Sequence, residues 1–258
     1  MSYWQDRLAQ SQNNLSSKTI KQVEKQLKKY YATTMNHVLE SFDSTLDKLL
    51  AAMDEEKEPT PADLYKLDKY WKAQAQMRAE LERLGDRQVS ALSKAFETQF
   101  FEIYYSFSLE GSDSFHTIDN ALVQQMINSI WCADGKSWSQ RVWDNMSYLQ
   151  QTLNEGLIQI VATGKRNREL KNLLQERFGV SYSRADALVR TEVAHIQTQA
   201  AKKRYEDYGV KQVQFWADPD ERTCDICGKL HKKIYLVGES VPIPAHPRCR
   251  CCVLPVIE

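Results

Sequence analysis

The sequence predicts a mainly α-helical protein of long helices that ends in a small C-terminal α+β module containing a short β-hairpin. Three observations carry this. No glycine occurs before Gly85 and no proline between Pro61 and Pro219. Proline inside a helix costs about 3 kcal/mol, so a stretch that long without one suits helices. Apolar residues recur at steps of three and four through most of the chain, the period of one helix face. After Pro219 the texture changes: four of the seven prolines and five of the six cysteines fall there, among short runs containing Val, Ile and Tyr. On this basis residues 1–115 form an N-terminal helical region, 116–209 a helical core and 210–258 a small β module.

Residues 3–13 suggest a short helix with Tyr3, Trp4 and Leu8 on one side, and Ser17 is placed to cap a longer one. Ile20, Val23, Leu27, Met35, Val38, Phe42, Leu46, Leu49 and Met53 mark that second helix. Lys18, Lys21, Lys25, Lys28 and Lys29 on its first turns read as a solvated face. Thr60-Pro61-Ala62-Asp63 opens the next helix with a hydroxyl at N-cap, proline at N1 and a carboxylate at N3. Leu64, Leu67, Trp71, Met77, Leu81 and Leu84 carry it to Gly85. A further helix holds Val89, Leu92, Phe96, Phe100, Ile103 and Phe107, whose aromatics read as core. A helix over 118–131 and a turn at 132–136 follow. Ser137 and Gln140 then make a capping box for a helix that runs to Gly164. Cys132 reads as a small buried hydrophobe.

Lys and Arg balance Asp and Glu at 34 each, so bulk charge points to neither nucleic acid nor membrane. No apolar run is long enough to span a bilayer, and the N-terminus lacks a signal-peptide core, which implies a reducing cytoplasm as the place of synthesis. Residues 165–204 depart from neutrality, with ten Lys or Arg against four Asp or Glu. Lys165, Arg166, Arg168 and Lys171 are the candidates there for facing DNA. Within this segment Phe178-Gly179-Val180-Ser181 separates two helical runs, as a helix-turn-helix would. Arg190 and Glu192 cannot face each other on the second run, and Glu192 is expected to pair with Arg222.

Val210–Ala217 alternates as a strand, 232–237 is its hairpin partner, and 252–256 is a last short strand. Cys224 and Cys227 are two residues apart, so both thiolates can face one point from a tight turn. His246 and Cys249 repeat that spacing after 18 intervening residues. Two such pairs make a tetrahedral Cys/His zinc site. Cys251 is an alternate fourth ligand, because alternation puts it on the same side as Cys249. A redox Cys-x-x-Cys and a disulfide pair remain as alternatives, and a cytoplasmic setting favours metal.

Several of these residues together resemble the phage head morphogenesis family, the Mu F-like minor head proteins. They are Arg190-Thr191-Glu192, Tyr205 with Gly209, Trp216, Asp220, Arg222-Thr223-Cys224-x-x-Cys227 and Pro244-x-His246-Pro247-x-Cys249-Arg250-Cys251. Asp134-Gly135-Lys136 with Ser139, Arg141 and Trp143 is similar to that family's upstream segment. The resemblance covers roughly residues 125–258, with His231 standing where a glycine is expected. It implies a minor structural protein of a tailed-phage head, made in the host cytoplasm and residing inside the head near the portal. Portal, major capsid or scaffold protein and packaged double-stranded DNA are the implied partners, without a membrane. Arg190, Glu192, Trp216 and Arg222 are expected to be structural, zinc likewise, and no catalytic residue is assigned. The competing classes are a sequence-independent DNA-binding protein using 165–204 and a zinc-dependent hydrolase. The second lacks a His-Glu-x-x-His motif.

Overall fold

The computed structural model describes residues 3–51, 62, 65–66, 68–108, 117–162, 167–217 and 220–257. It contains helices α1 (Tyr3–Ala51), α2 (Asp68–Tyr105), α3 (Asn120–Ile127), α4 (Trp138–Ala162) and α5 (Asn167–Asp207). These are followed by β1 (Gln212–Trp216), a short α6 (Asp225–Leu230), β2 (Ile234–Leu236) and β3 (Cys252–Pro255). The fold is therefore mainly α with a small C-terminal sheet, as the sequence predicts. The expected helix start at Thr60-Pro61 and helix end at Gly164 fall outside the described residues.

Three expected helix breaks are absent. Residues 3–13 and the helix after Ser17 form one element of 49 residues, so Ser17 caps nothing. Its buried stripe does continue through this stretch, but in polar residues: Gln12, Ser16 and Thr19 are buried and then Val23. Gly85 lies inside α2. A Cβ there would sit 2.4 Å from the Trp143 ring, so the glycine lets an indole lie against the helix backbone. Gly179 lies inside α5, which runs 41 residues without interruption and replaces the expected helix-turn-helix. Ser181 is fully buried, and its carbonyl accepts from Asn145 Nδ2 at 2.9 Å. The Gly-Val-Ser run is thus continuous helix, with Ser181 packed inside and Gly179 and Val180 exposed. In the other direction, the helix expected over 118–131 is shorter, starting after Asp119, whose side chain accepts from Ala121 N at 3.1 Å.

The chain divides into two compact units. The second unit comprises 25–90 and 139–185. It is organised round Tyr31, whose hydroxyl meets Gln88, Asn145 and Ser181. Burial pushes that phenol up to about 12 against the pull of those hydrogen bonds.

The first unit comprises 1–24, 91–138 and 186–258. Here α1 meets α2 and α5 through a polar ladder. Ser16 donates to Gln197 at 2.5 Å, Thr19 to Gln99 at 2.6 Å, and Gln99 Nε2 to Ser16 at 2.8 Å. Gln12 donates to Tyr205 at 2.8 Å, and Tyr205 donates in turn to the Val253 carbonyl on β3 at 3.2 Å. α5 ends in a Schellman motif: Val210 N reaches Tyr205 O at 2.9 Å, Gly209 N reaches Glu206 O at 2.8 Å, and Gly209 has φ +74. That turn delivers the chain to β1, the central strand of an antiparallel sheet in the order β2-β1-β3. Val213 pairs with Tyr235 and Pro255, and Trp216 with Cys252. Trp216, Cys252 and Leu254 on one sheet face form a buried cluster with Ala9 of α1.

Candidate metal centre

Cys224 is the N-cap of α6, and its Sγ accepts from Cys227 N at 3.4 Å. The Cys-x-x-Cys spacing thus becomes one turn of a short helix, which aims both sulfurs the same way. His246 and Cys249 form the opposite half, closed by Cys249 N donating to His246 O at 3.2 Å. Arg248 makes this second turn possible by adopting φ 64, a left-handed conformation uncommon outside glycine.

The two halves converge on Cys227. Its Sγ lies 3.3 Å from His246 Nε2 and 3.8 Å from Cys249 Sγ. Cys224, Cys227 and His246 form one group of donor atoms lying within 4.8 Å of one another, and Cys227, Cys249 and Cys251 form a second. A tetrahedral ion with metal–sulfur bonds of about 2.3 Å and a metal–nitrogen bond of about 2.0–2.1 Å sets S···S edges near 3.8 Å and S···N edges near 3.5 Å. The Cys227–His246 and Cys227–Cys249 separations match these edges, and the donors form two groups of three that share Cys227, so the residues fit a metal ion in chemistry and, around Cys227, in spacing. Cys227, Cys249 and Cys251 are buried, and Cys224 and His246 are partly exposed.

The surroundings set protonation. His246 Nδ1 lies 2.8 Å from the Pro247 carbonyl, which can only accept, so that nitrogen carries the proton and Nε2 faces the sulfurs with a free lone pair. Burial works against protonating this ring, but the Pro247 carbonyl and the nearby thiolates prevail and its affinity for a proton is raised. The Cys227 backbone N–H draws the Cys224 thiol down. A hydrogen bond from Cys251 brings Cys249 down to about 5. The same bond, with burial, pushes Cys251 upward, while burial pushes Cys227 up to about 12. Crowding sulfurs without a countercharge spreads their proton affinities in this way, and a bound cation removes the penalty.

Residues around the cluster fix it to α5. The Arg248 backbone N donates to Thr191 Oγ1 at 3.1 Å, and its guanidinium reaches Asp186 at 3.1 Å. Arg190 binds Glu24 of α1 and Asp186, while buried Glu192 accepts from Trp131 Nε1 at 3.0 Å. Each member of Arg190-Thr191-Glu192 therefore faces a different neighbour. The expected Glu192–Arg222 pair is not formed: Arg222 bonds Asp220 at 3.2 Å, because both sit on the same exposed turn. Asp220 also receives Arg250 bidentately at 2.8 and 2.7 Å, and this pairing holds its carboxyl well below the usual carboxylate range. Trp216 is buried against His231, whose Nδ1 accepts from Ala217 N at 3.2 Å. That bond and ring contact occupy His231, and it belongs to neither donor group. Cys132 is partly exposed.

Lys165 and Arg166 lie outside the described residues, and Arg168 and Lys171 are exposed on α5. Much of the remaining positive charge of 165–204 is used internally. Arg184 stacks on Tyr148, Lys203 bonds Asp207, Lys202 bonds the Glu239 carbonyl, and Arg204 donates to the Phe107 carbonyl. Sequence reasoning missed Glu24, Trp131 and Asp186, whose partners lie 4 to 166 positions away and leave no periodic signature.

Among the described residues no helix is long and apolar enough to cross a membrane. No curated protein and no solved structure matches the chain. Residues 151–254, which include all five candidate donors, match the family described as Phage Mu protein F like protein.

Proposed function

We propose that this protein is a minor structural component of a tailed-phage head that assembles beside the portal, with zinc as the ion that ties its C-terminal module together. The observation that carries the reading is the coincidence of two things in one stretch. The Mu F-like match spans 151–254, and within it five sulfur and imidazole donors form two groups of three that share Cys227. Such a match supports reading the chain as a head morphogenesis protein. Cys224, Cys227, His246 and Cys249 are the proposed ligands, with Cys251 beside them as the alternate. Five donors for four positions favour a closed structural site over a catalytic one, which keeps a position open for water. Bound there, zinc would hold the thiolates and the His246 lone pair together.

In this arrangement 1–115 is the helical region that meets the portal or inner capsid, 116–209 is the helical core, and 210–258 is the metal-tied module. The protein would reside inside the head. Co-expression with the portal protein, pull-down and elemental analysis of the same sample test both halves. The expected result is retention by the portal with about one zinc per chain. Zinc without portal retention overturns the placement, and retention without zinc overturns the metal.

A further inference from the structure

The metal centre leaves one sulfur over. Five donors are grouped around Cys227, and a tetrahedral ion takes four. Whichever of Cys249 and Cys251 completes the set, the other remains a thiol beside it. These two and Cys227 are buried, with their sulfurs all within 4.8 Å of one another. Being two residues apart, Cys249 and Cys251 are separated by at most about 7 Å at Cα however the chain runs, and a disulfide spans up to about 6.8 Å. Closing a bridge between them therefore asks little of the backbone. An access route is also present. A cavity of about 790 Å³ lies in the first unit between α1, α5 and the C-terminal module, with Asn13, Ser17, Arg190, Gln197 and Trp216 on its wall. Of the five donors, only Cys249 lines it.

We propose that Cys249 and Cys251 are an oxidative modification site for a small hydroperoxide, and that their disulfide opens the metal site. Cys249 Sγ, reached through the cavity, attacks one peroxide oxygen. The O–O bond breaks, the sulfur is oxidised to sulfenic acid, and the leaving hydroxide takes a proton, from the thiol or from solvent when the sulfur is ionised, to become water. Cys251 Sγ then attacks Cys249 Sγ. The S–S bond forms, the S–O bond breaks, and the released hydroxide takes the Cys251 proton to leave as a second water. Counted as thiols, two cysteines and one hydrogen peroxide become one disulfide and two waters. Cys224, Cys227 and His246 stay reduced; they are the other three-donor group, one ligand short of a closed tetrahedral site. The inference rests on the five-donor reading of the metal centre and not on placement beside the portal.

The test treats the full, zinc-loaded chain with hydrogen peroxide and alkylates the thiols that remain. The bridge is then mapped by mass spectrometry, and zinc is followed with a chromophoric chelator. The expected result is a Cys249–Cys251 bridge, the loss of two alkylatable thiols per chain and passage of zinc to the chelator, all reversed by dithiothreitol before the metal is restored. Cys251→Ser removes the resolving sulfur, so peroxide should carry Cys249 on to sulfinic acid, which dithiothreitol does not reduce. Should that variant fail to fold, the wild-type map decides alone. Retention of all the thiols overturns the inference, as does a bridge that uses Cys132, Cys224, Cys227 or Cys252. So does zinc held as firmly by the bridged chain as by the reduced one. A reduced chain that never took up zinc would instead sink the metal reading, and the mapped bridge would still decide whether Cys249 and Cys251 are the oxidised pair.

Discussion

Cys227 belongs to both three-donor groups, whereas Cys224, His246, Cys249 and Cys251 each belong to one. Replacing it removes the sulfur common to both groups and leaves neither with three donors. Cys227→Ser should therefore abolish metal retention, while Cys251→Ser should leave about one ion per chain if Cys249 completes the site. Elemental analysis of the two purified variants decides between these outcomes. A second residue governs pH dependence. His195 is buried and stacked on Trp131 with ring centroids 4.4 Å apart. Burial, with a smaller contribution from Lys202, lowers its pKa from 6.5 to about 4. The unfolded chain takes up the proton near pH 6.5, whereas the folded chain resists it down to about 4. Stability is thus full above pH 6.5 and falls as pH drops through that window, by up to about 3 kcal/mol at 1.36 kcal/mol per unit. Denaturant melts at pH 4.5 and 7.5 check this, with His195→Phe expected to flatten the difference relative to wild type. An unchanged pH slope in that variant would assign the acid sensitivity to other groups, such as the sulfur cluster.

At the scale of elements, the helical class and all three strands were legible because they rest on short-range pattern. Proline spacing, apolar periodicity and alternation at Val213 and Phe215 each survive without knowledge of the partner. Helix boundaries were less legible, for a specific reason. Gln12, Ser16 and Thr19 continue the buried stripe of α1 as polar residues, satisfied by Gln99, Gln197 and Tyr205. A search for apolar periodicity cannot see them. The glycines misled in the same direction, since a helix-interior glycine costs only about 1 kcal/mol and tertiary packing overrides it. Gly179 makes this testable. It is exposed within α5, and a Cβ added there meets nothing within 4 Å. Gly179→Ala should stabilise the protein by about 0.5–1 kcal/mol, read as a rise in melting temperature. In a turn that needs positive φ the same substitution would be destabilising, so the sign of the shift distinguishes the continuous helix from a helix-turn-helix.

For the whole molecule, the question is how far a metal in the last 35 residues influences the rest. The donor spacing was legible as two Cys/His pairs, but the anchoring of that cluster to α5 and the packing of the sheet on α1 were not. The sheet has strands of five, three and four residues, too little to bury a core by itself. It is held instead by Trp216, Cys252 and Leu254 against Ala9, by Tyr205 beneath Val253, and by Arg248 on Thr191 and Asp186. A structural ion contributes on the order of 10 kcal/mol to folding its ligands. Chelation should therefore release the segment 224–251 first, and then the partners that depend on it within the first unit. Hydrogen exchange with and without chelator is the measurement. Protection should fall across α6 and β1–β3, and also in the first turns of α1 around Ala9, while α4 from 139 to 160, which belongs to the second unit, should exchange as before. Loss confined to 210–257 would mean that α1 and α5 do not need the sheet. Unchanged exchange throughout would mean that the sulfur cluster holds its shape without an ion.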